Sequence, residues 1–467
     1  MRLYMESTKG NRVAHHKKIS GILFGIFAVV GLRAHAEIIA FDNVNVIPME
    51  SREVKYHQRV IVDGERIVAI DSMWKPPGFD VARTIDCAGK FMIPGLVDTH
   101  YHQRGSDPAE YALLYKLLLA NGITAVVSMG EDGGQDTIAI RQHANRNDVL
   151  APTYYTAGPY LDGDNLKTPD DAAEAVRHHQ TRGYDFIKVH GNLPLPVYLK
   201  LLGEAELAGI PVIGHAQRQL PLAYSLRLSH IAHMEEIVMI FSDDVNFQIN
   251  DINRSQASKI ARQIKDSGVT VSPTLTILAG IENYTDDARF EALKRRPVTA
   301  YLSRSEYANY TTAGKEYRSA FILSRKGRQG VARLINNTRV LTRALHAAGV
   351  PMLVGSDNFG MQITGFSYHD EMEAMHQAGM PAYDVLNAAT VGSARYLKRQ
   401  ASAGTLSIGK KAEFVLLSAN PLSDIRHTRD VQGVMLKGQW LDKQALDQGL
   451  REVAAARKLE QAASGAP

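Results

Sequence analysis

Six residues suited to metal binding or catalysis each lie at or just after the end of an apolar run in this sequence. They are His100, His102, Lys188, His215, His233 and Asp357. Neutral imidazoles and carboxylates bind divalent metal ions, and two ions roughly 3.5–4 Å apart can share a hydroxide and polarise a carbonyl. The six residues together predict a two-metal hydrolytic centre.

The closest pair of these residues is His100 and His102, which follow the run Gly95-Leu96-Val97. Because side chains alternate across a β-strand, the two imidazoles point in the same direction and can chelate one ion.

Taken one at a time, the other residues have simpler interpretations. A lysine at a strand end is usually a solvated charge, and a lone buried histidine is usually a hydrogen-bonded core residue. An aspartate after a strand often caps a helix. The presence of all six at strand ends favours the metal centre over these separate interpretations.

Eight apolar segments alternate with helical patterns in the middle of the chain. This alternation predicts parallel βα units and an α/β fold, specifically a (β/α)₈ TIM barrel over residues 93–399 with its site on one face. The predicted strands are Leu96–Thr99, Ile123–Met129, Thr153–Ala157, Phe186–Val189, Val212–Gly214, His230–Ala232, Val269–Ser272 and Met352–Gly355. The surplus length at about 280–346 predicts a helical insertion that either caps the site or packs outside the barrel.

Strand patterns also occur at both ends of the chain. Residues 37–92 and 400–442 predict one small composite β-sandwich, and residues 443–467 predict a helix with a short tail.

The first 36 residues have the pattern of a signal peptide. Lys17 and Lys18 precede an apolar run over 19–32, and Ala34-His35-Ala36 is typical of a cleavage site. The run is shorter than the roughly 20 residues that cross a bilayer, so we expect no stable membrane span after cleavage. The sequence predicts an exported protein, either periplasmic or secreted.

Charge and cysteine content exclude other classes. The formal net charge of +4 belongs to the leader, because six of the 53 basic residues but only one of the 49 acidic ones lie within residues 1–36. No electrostatic case for nucleic-acid binding is left. The single cysteine, Cys87, excludes an intrachain disulfide framework. The sequence leaves both a monomer and a homo-oligomer open.

The motifs resemble those of the amidohydrolase superfamily over nearly all of the chain after the leader. They are Pro94-Gly95-Leu96-Val97-Asp98-Thr99-His100-Tyr101-His102, the lysine in Phe186-Ile187-Lys188-Val189, the two later histidines, Gly355-Ser356-Asp357, and the terminal segments 404–413 and 420–425. The resemblance implies two divalent ions, for which zinc is the expected metal. His100, His102 and Asp357 would bind one ion, and His215 and His233 the other. Lys188, as a carbamate formed with carbon dioxide, would bridge them.

The resemblance is strongest to prolidase-like and aryl-amide hydrolase members, which implies cleavage of a carbon–nitrogen bond in a dipeptide or N-acyl amino acid. A metal-bridging hydroxide would attack the carbonyl, with Asp357 as the acid–base residue. Arg218 and Arg104 are candidates for binding a substrate carboxylate, and Tyr224 and His190 for orienting the substrate. His230 and Glu236 are candidate hydrogen-bond partners of the metal ligands.

Several alternatives stay open at this point. A mononuclear deaminase would use the histidines and the aspartate without the bridging lysine. An esterase or lactonase would use the same centre on a different bond. A non-catalytic binding protein on this scaffold is the third alternative, although every expected ligand is present.

Overall fold

A computed structural model describes residues 37–242, 248–312 and 318–463 of the chain. The signal peptide predicted for residues 1–36 lies outside this described part. Among the residues described, none of the helices has the length and apolar character that crossing a membrane requires.

The described residues form fifteen β-strands and sixteen α-helices. The strands are β1 (Ile38–Val46), β2 (Lys55–Asp63), β3 (Arg66–Ser72), β4 (Arg83–Asp86), β5 (Phe91–Pro94), β6 (Leu96–Tyr101), β7 (Ile123–Ser128), β8 (Thr153–Thr156), β9 (Ile187–Val189), β10 (Val212–His215), β11 (His230–Ala232), β12 (Thr270–Ser272), β13 (Phe414–Leu417), β14 (Val431–Leu436) and β15 (Gln439–Asp442).

The helices alternate with the strands in the middle of the chain and become more frequent after β12. They are α1 (Pro108–Ala120), α2 (Thr137–Ala144), α3 (Pro169–Arg182), α4 (Leu195–Ala208), α5 (Leu222–Ser225), α6 (Met234–Ile240), α7 (Arg254–Ser267), α8 (Leu275–Tyr284), α9 (Asp287–Lys294), α10 (Arg304–Thr311), α11 (Ala320–Leu323), α12 (Arg325–Ala348), α13 (Phe366–Gln377), α14 (Ala382–Asn387), α15 (Ser393–Tyr396) and α16 (Lys443–Ala463).

The two ends of the described chain share one β-sheet. Its order is β15-β14-β13-β5-β1-β2-β3, and β4 also pairs with β1. The link between the ends is the antiparallel pairing of β13 with β5. The sequence predicted a sandwich, whereas the pairing joins all eight strands in a single sheet.

This sheet curls over a core of its own. The rings of Phe41 on β1 and Trp440 on β15 lie 4.9 Å apart, centroid to centroid, although three strands separate β1 from β15 in the pairing order. In a flat sheet these two strands would be roughly 19 Å apart, at about 4.8 Å per strand. Phe414 contacts both rings, so the curled sheet brings two faces together as a sandwich would.

The middle of the chain contains two parallel sheets, one with the order β6-β7-β8 and the other with the order β12-β11-β10-β9. Every residue of β6 and β7 is buried, as expected for parallel strands that are covered by helices on their outer side. The α/β fold with parallel strands that the sequence predicts is therefore present.

The pairing does not form the closed eight-stranded barrel that we predicted. Residues 352–355, the predicted eighth strand, make only an isolated bridge from Met352 to Val271 of β12. On the other side, the amide of Thr99 in β6 donates to the carbonyl of Val354 at 3.0 Å. Pro351 has no N–H to donate and Asp357 has a φ of +42°, and both features interrupt a regular ladder.

Phe41 offers a test of the sheet that the two ends share. It is fully buried and contacts aromatic rings from the C-terminal part. We expect Phe41→Ala to lower the free energy of unfolding by about 3–5 kcal/mol, because it removes a large buried ring and leaves a cavity. Phe79 is 39% exposed, so Phe79→Ala should cost less than about 0.5 kcal/mol. Denaturant unfolding measures both changes, and equal effects would contradict this description of the core.

Candidate metal centre

The six predicted residues meet at the carboxyl ends of the parallel strands. His100 lies in β6 and His102 directly follows it, Lys188 lies in β9, His215 ends β10, and His233 follows β11. Asp357 joins them because its amide donates to the carbonyl of His100 at 2.7 Å. Residues more than 250 positions apart in sequence are thereby neighbours in the fold.

The carboxylate of Asp357 is the point at which three histidines converge. Its Oδ1 lies 2.9 Å from His102 Nε2 and 3.5 Å from His100 Nε2, and its Oδ2 lies 3.5 Å from His233 Nδ1. Nitrogen and oxygen atoms of His100, His233 and Asp357 all lie within 4.8 Å of one another. One ion can be reached from all three side chains.

The backbone at this point adopts conformations that side chains rarely tolerate. His233, Thr274 and Asp357 have φ values of +70°, +48° and +42°. Each such residue costs on the order of 1–3 kcal/mol and persists where surrounding contacts hold it. Thr274 Oγ1 lies 2.8 Å from His233 Nδ1, so one strained residue fixes the ring of another.

Two glycines let the ligands approach. A Cβ on Gly355 would lie 2.4 Å from the Cβ of His100, and a Cβ on Gly214 would lie 2.8 Å from Lys188 Cδ and 2.2 Å from the carbonyl oxygen of Val189. Any larger residue at either position would displace a predicted ligand or the backbone beside it.

Polar contacts at Nδ1 orient the rings of His215 and His102. Glu236 Oε1 lies 3.0 Å from His215 Nδ1, and Tyr160 Oη lies 3.0 Å from His102 Nδ1. A partner on one ring nitrogen leaves the other nitrogen available as a metal ligand, which is the usual arrangement around metal-binding histidines.

Burial sets the protonation of the ligands. It lowers the pKa of His100, His215 and His233, which favours the neutral rings whose lone pairs can bind a metal ion. Burial also lowers the pKa of Lys188 to about 8, although Asp357 and Glu236 oppose the shift. For Asp357, burial alone would raise the pKa, but His233 and the hydrogen bond from His102 hold it below its usual range.

The donor set fits a divalent metal ion. Both ring nitrogens of His100 are fully buried and have no hydrogen-bond partner among the described residues, which would be costly for a structural histidine. Four neutral or hydrogen-bonded imidazoles and one ionised carboxylate are the ligand types that zinc and similar ions prefer.

Five of the six predicted ligands, all except the fully buried His100, line a cavity of about 530 Å³. Its polar residues are His102, Tyr160, Lys188, His190, His215, Arg218, His233, Glu235, Glu236 and Asp357. Its apolar residues are Met239, Ile277, Leu278, Ile281, Ile322, Val331, Leu334 and Phe359. The helices of the region predicted as an insertion therefore contribute to the wall of the cavity.

Two of the four predicted substrate residues line this cavity, and the other two do not. His190 and Arg218 face it. The guanidinium of Arg218 makes a two-point contact with Glu236, at 2.6 Å from Nε and 2.5 Å from Nη2. A substrate carboxylate would have to compete with that buried partner.

Arg104 and Tyr224 lie elsewhere. Arg104 contacts the hydroxyl of Tyr310 at 3.1 Å and the carboxylate of Glu306 at 3.4 Å, and it lines a different cavity. Tyr224 is half-buried, and its carbonyl accepts a hydrogen bond from the hydroxyl of Tyr198. Arg104 contacts α10, which carries Tyr310 and Glu306, and Tyr224 lies in α5. A distance along the sequence reveals neither arrangement.

Of the two residues predicted to form hydrogen bonds with the metal ligands, one contacts a ligand and the other does not. Glu236 contacts His215 as expected, but His230 lies between Thr270 Oγ1 and Ser272 Oγ, at 2.8 and 2.6 Å. Its position at the start of β11 places it in the interior, away from the carboxyl end that bears His233.

Three residues of the site were not predicted from the sequence. They are Tyr160, Thr274 and Glu235. Burial raises the pKa of Glu235 to about 8, and its Oε2 has no hydrogen-bond partner among the described residues. Tyr160 and Thr274 each follow a strand and a proline, and polar residues at such positions are the signal that could have identified them.

Curated relatives match only short segments of the chain. A dihydroorotase from Wolbachia sp. subsp. Drosophila simulans (strain wRi) is 32% identical over 93 residues, which is 19% of this chain and 20% of that protein. An adenine deaminase from Desulfatibacillum aliphaticivorans is 30% identical over 105 residues, 20% of this chain and 17% of that protein. The matched segments thus span about a fifth of the length of these relatives.

Comparisons of the whole fold and with a family model cover much more of the chain. The crystal structure of a Xaa-Pro dipeptidase with bound methionine in the active site superposes with a TM-score of 0.66 at 18% identity, covering 87% of this chain and all of that one. The model of the Amidohydrolase family matches residues 91–441, which include all six predicted ligands and the C-terminal strands. The chain therefore belongs to the amidohydrolase family.

Proposed function

We propose that this hydrolase cleaves a carbon–nitrogen bond in a small amide, with a dipeptide or an N-acyl amino acid as the substrate class. The observation that carries the proposal is the convergence of His100, His102 and His233 on the carboxylate of Asp357, beside Lys188 and His215 in one cavity. The likeness to the Xaa-Pro dipeptidase structure supports a peptide-like substrate.

The proposed centre has two divalent ions, with zinc as the metal. His100, His102 and Asp357 would bind one ion, and His215 and His233 the other. Lys188 would bridge the two as a carbamate. Its ammonium would first lose one proton, and the neutral amine would then add to carbon dioxide and lose a second proton, which leaves an anionic carbamate. When bound, the ions would lower the pKa of water and polarise the scissile carbonyl.

The chain's own residues supply proton transfer and orientation. Asp357 would accept the proton of the attacking water and return it to the leaving nitrogen. Glu236 and Tyr160 hold the rings of His215 and His102, and apolar side chains of the neighbouring helices line the same cavity. Export through the predicted leader is part of the proposal. Sequencing the N-terminus of the exported protein tests it, with Glu37 as the expected first residue.

A mononuclear deaminase is the second candidate, because an adenine deaminase is among the curated relatives. It would use one ion and would not need Lys188. An esterase or lactonase would share the two-metal centre and differ only in the bond that is cleaved. Measuring the metal content and the activity against a panel of amides and esters distinguishes the three candidate functions.

Replacement of Lys188 tests the bridging role. We expect Lys188→Ala to bind one ion per chain instead of two and to lose at least about 100-fold in activity, because the anion between the ions is gone. After incubation with ¹³C-bicarbonate, the parent protein should show a carbamate carbon signal by NMR that the variant lacks. Lys200, an exposed residue paired with Glu204, provides the control Lys200→Ala. One ion in the parent protein and full activity in Lys188→Ala would support deamination instead.

Replacement of Asp357 separates proton transfer from metal binding. The amide of Asp357→Asn can still coordinate through oxygen but cannot carry a proton, so we expect turnover to fall by about 10²–10⁴-fold. Metal content, measured by atomic emission, should fall much less. Asp80→Asn, at an exposed position, is the matched control. Activity retained in Asp357→Asn would rule out the acid–base role.

A further inference from the structure

The cavity that holds the predicted ligands has one apolar side. Ile277 and Ile281 lie one turn apart on α8, and Ile322 lies on α11. All three are only half-buried, so their side chains retain surface that faces the cavity. Among the described residues, every side chain that α8, α11 and α12 contribute to the lining is apolar.

The two sides of the cavity come largely from different parts of the chain. The polar side is built from the carboxyl ends of β6, β9, β10 and β11, the first turn of α6, Asp357 and the loop that carries Tyr160. The apolar side is built from α8, α11 and α12, together with Met239 on α6 and Phe359 just beyond Asp357. The apolar surface is therefore continuous with the ligands rather than a separate groove.

An apolar surface that faces water is costly, and it gains free energy only when something apolar covers it. The volume of about 530 Å³ lies within the roughly 300–1,000 Å³ of pockets that take small molecules. Because this surface adjoins the predicted reaction centre, the molecule that covers it is the substrate.

On the polar side of the cavity, the guanidinium that could bind a substrate carboxylate already has a carboxylate partner. Arg218 is bound at two points to Glu236, whose side chain is 2% exposed and also contacts His215. Drawing Arg218 toward a substrate would leave that carboxylate buried with a weaker partner. Apolar contact offers a way to select among substrates that leaves the pair of Arg218 and Glu236 intact.

We propose that the substrate carries an aliphatic or aromatic group of about four or more carbons, which packs against Ile277, Ile281 and Ile322 while the scissile bond lies at Asp357. This inference rests on the proposed amide hydrolysis and names its substrate class. The group lies on either the acyl or the amine side of the bond, and two substrate series distinguish these positions.

The test uses the full chain loaded with zinc. One series is N-acetyl-, N-butyryl- and N-hexanoyl-L-alanine, and the other is N-acetyl-alanine, -norvaline and -2-aminooctanoate. In at least one series kcat/KM should rise about threefold to fourfold per added methylene, the factor expected for burial of each CH₂. Flat profiles in both series would overturn the inference.

Variants of the apolar side give the matched comparison. Ile281→Ala and Ile322→Ala should each lower the ratio of kcat/KM for the longest to the shortest substrate by about threefold to tenfold, because part of the apolar contact is lost. Ile408 is 65% exposed and lies outside the cavity, and Ile408→Ala should leave the ratio unchanged. Equal ratios in all variants would count against the inference.

The two proposals fail in different ways. If no compound of either series is cleaved, the proposed amide hydrolysis fails. Calorimetric binding of the same compounds then decides the inference about the apolar group by itself. Affinity that rises with chain length and falls in Ile281→Ala would support it, and affinity independent of chain length would overturn it.

Discussion

The site depends on the electrostatic balance around one buried carboxylate. Asp357 contacts the imidazoles of His100, His102 and His233, and Lys188 lies in the same cavity. Burial lowers the pKa of His100 and His233. Both ring nitrogens of His100 lack a hydrogen-bond partner among the described residues. A bound ion would give the lone pair of this ring a partner.

The backbone conformation lets the predicted ligands approach one another. Positive φ angles at His233, Thr274 and Asp357 turn the chain abruptly at strand ends, and Gly355 and Gly214 remove the Cβ atoms that would block His100 and Lys188. Strain of this kind persists where a site requires it. Asp357, together with Pro351, also interrupts the ladder that residues 352–355 would form between β12 and β6, so this irregularity lies beside the predicted metal ligands.

The sequence was sufficient for features that follow from local pattern. Alternation along a strand predicted that His100 and His102 share a direction, and apolar runs that end in polar residues predicted the convergence with Asp357. Features that depend on the path of a loop were not predictable in this way. Arg104 and Tyr224 lie near ligands in sequence but turn away from the cavity, and His230 lies at the wrong end of its strand. Tyr160 reaches His102 across 58 residues, which no spacing rule reveals.

The helices after β12 have a role that the sequence left undecided. Ile281 on α8, Ile322 on α11 and Leu334 on α12 bring apolar side chains to the cavity. The two sets of elements have different roles in the proposed function. The strand ends position the predicted metal ligands, and the helices present the apolar surface proposed to contact the rest of the substrate. Variation in the helices can change the substrate without moving the ligands.

Anomalous diffraction from crystals grown with zinc, measured above and below the zinc absorption edge, tests the two-metal centre most directly. For a two-metal centre we expect two peaks roughly 3.5–4 Å apart between Asp357 and His215, with density extending from the Lys188 amine to both. A single peak at His100, His102 and Asp357, with an unmodified Lys188, would contradict it.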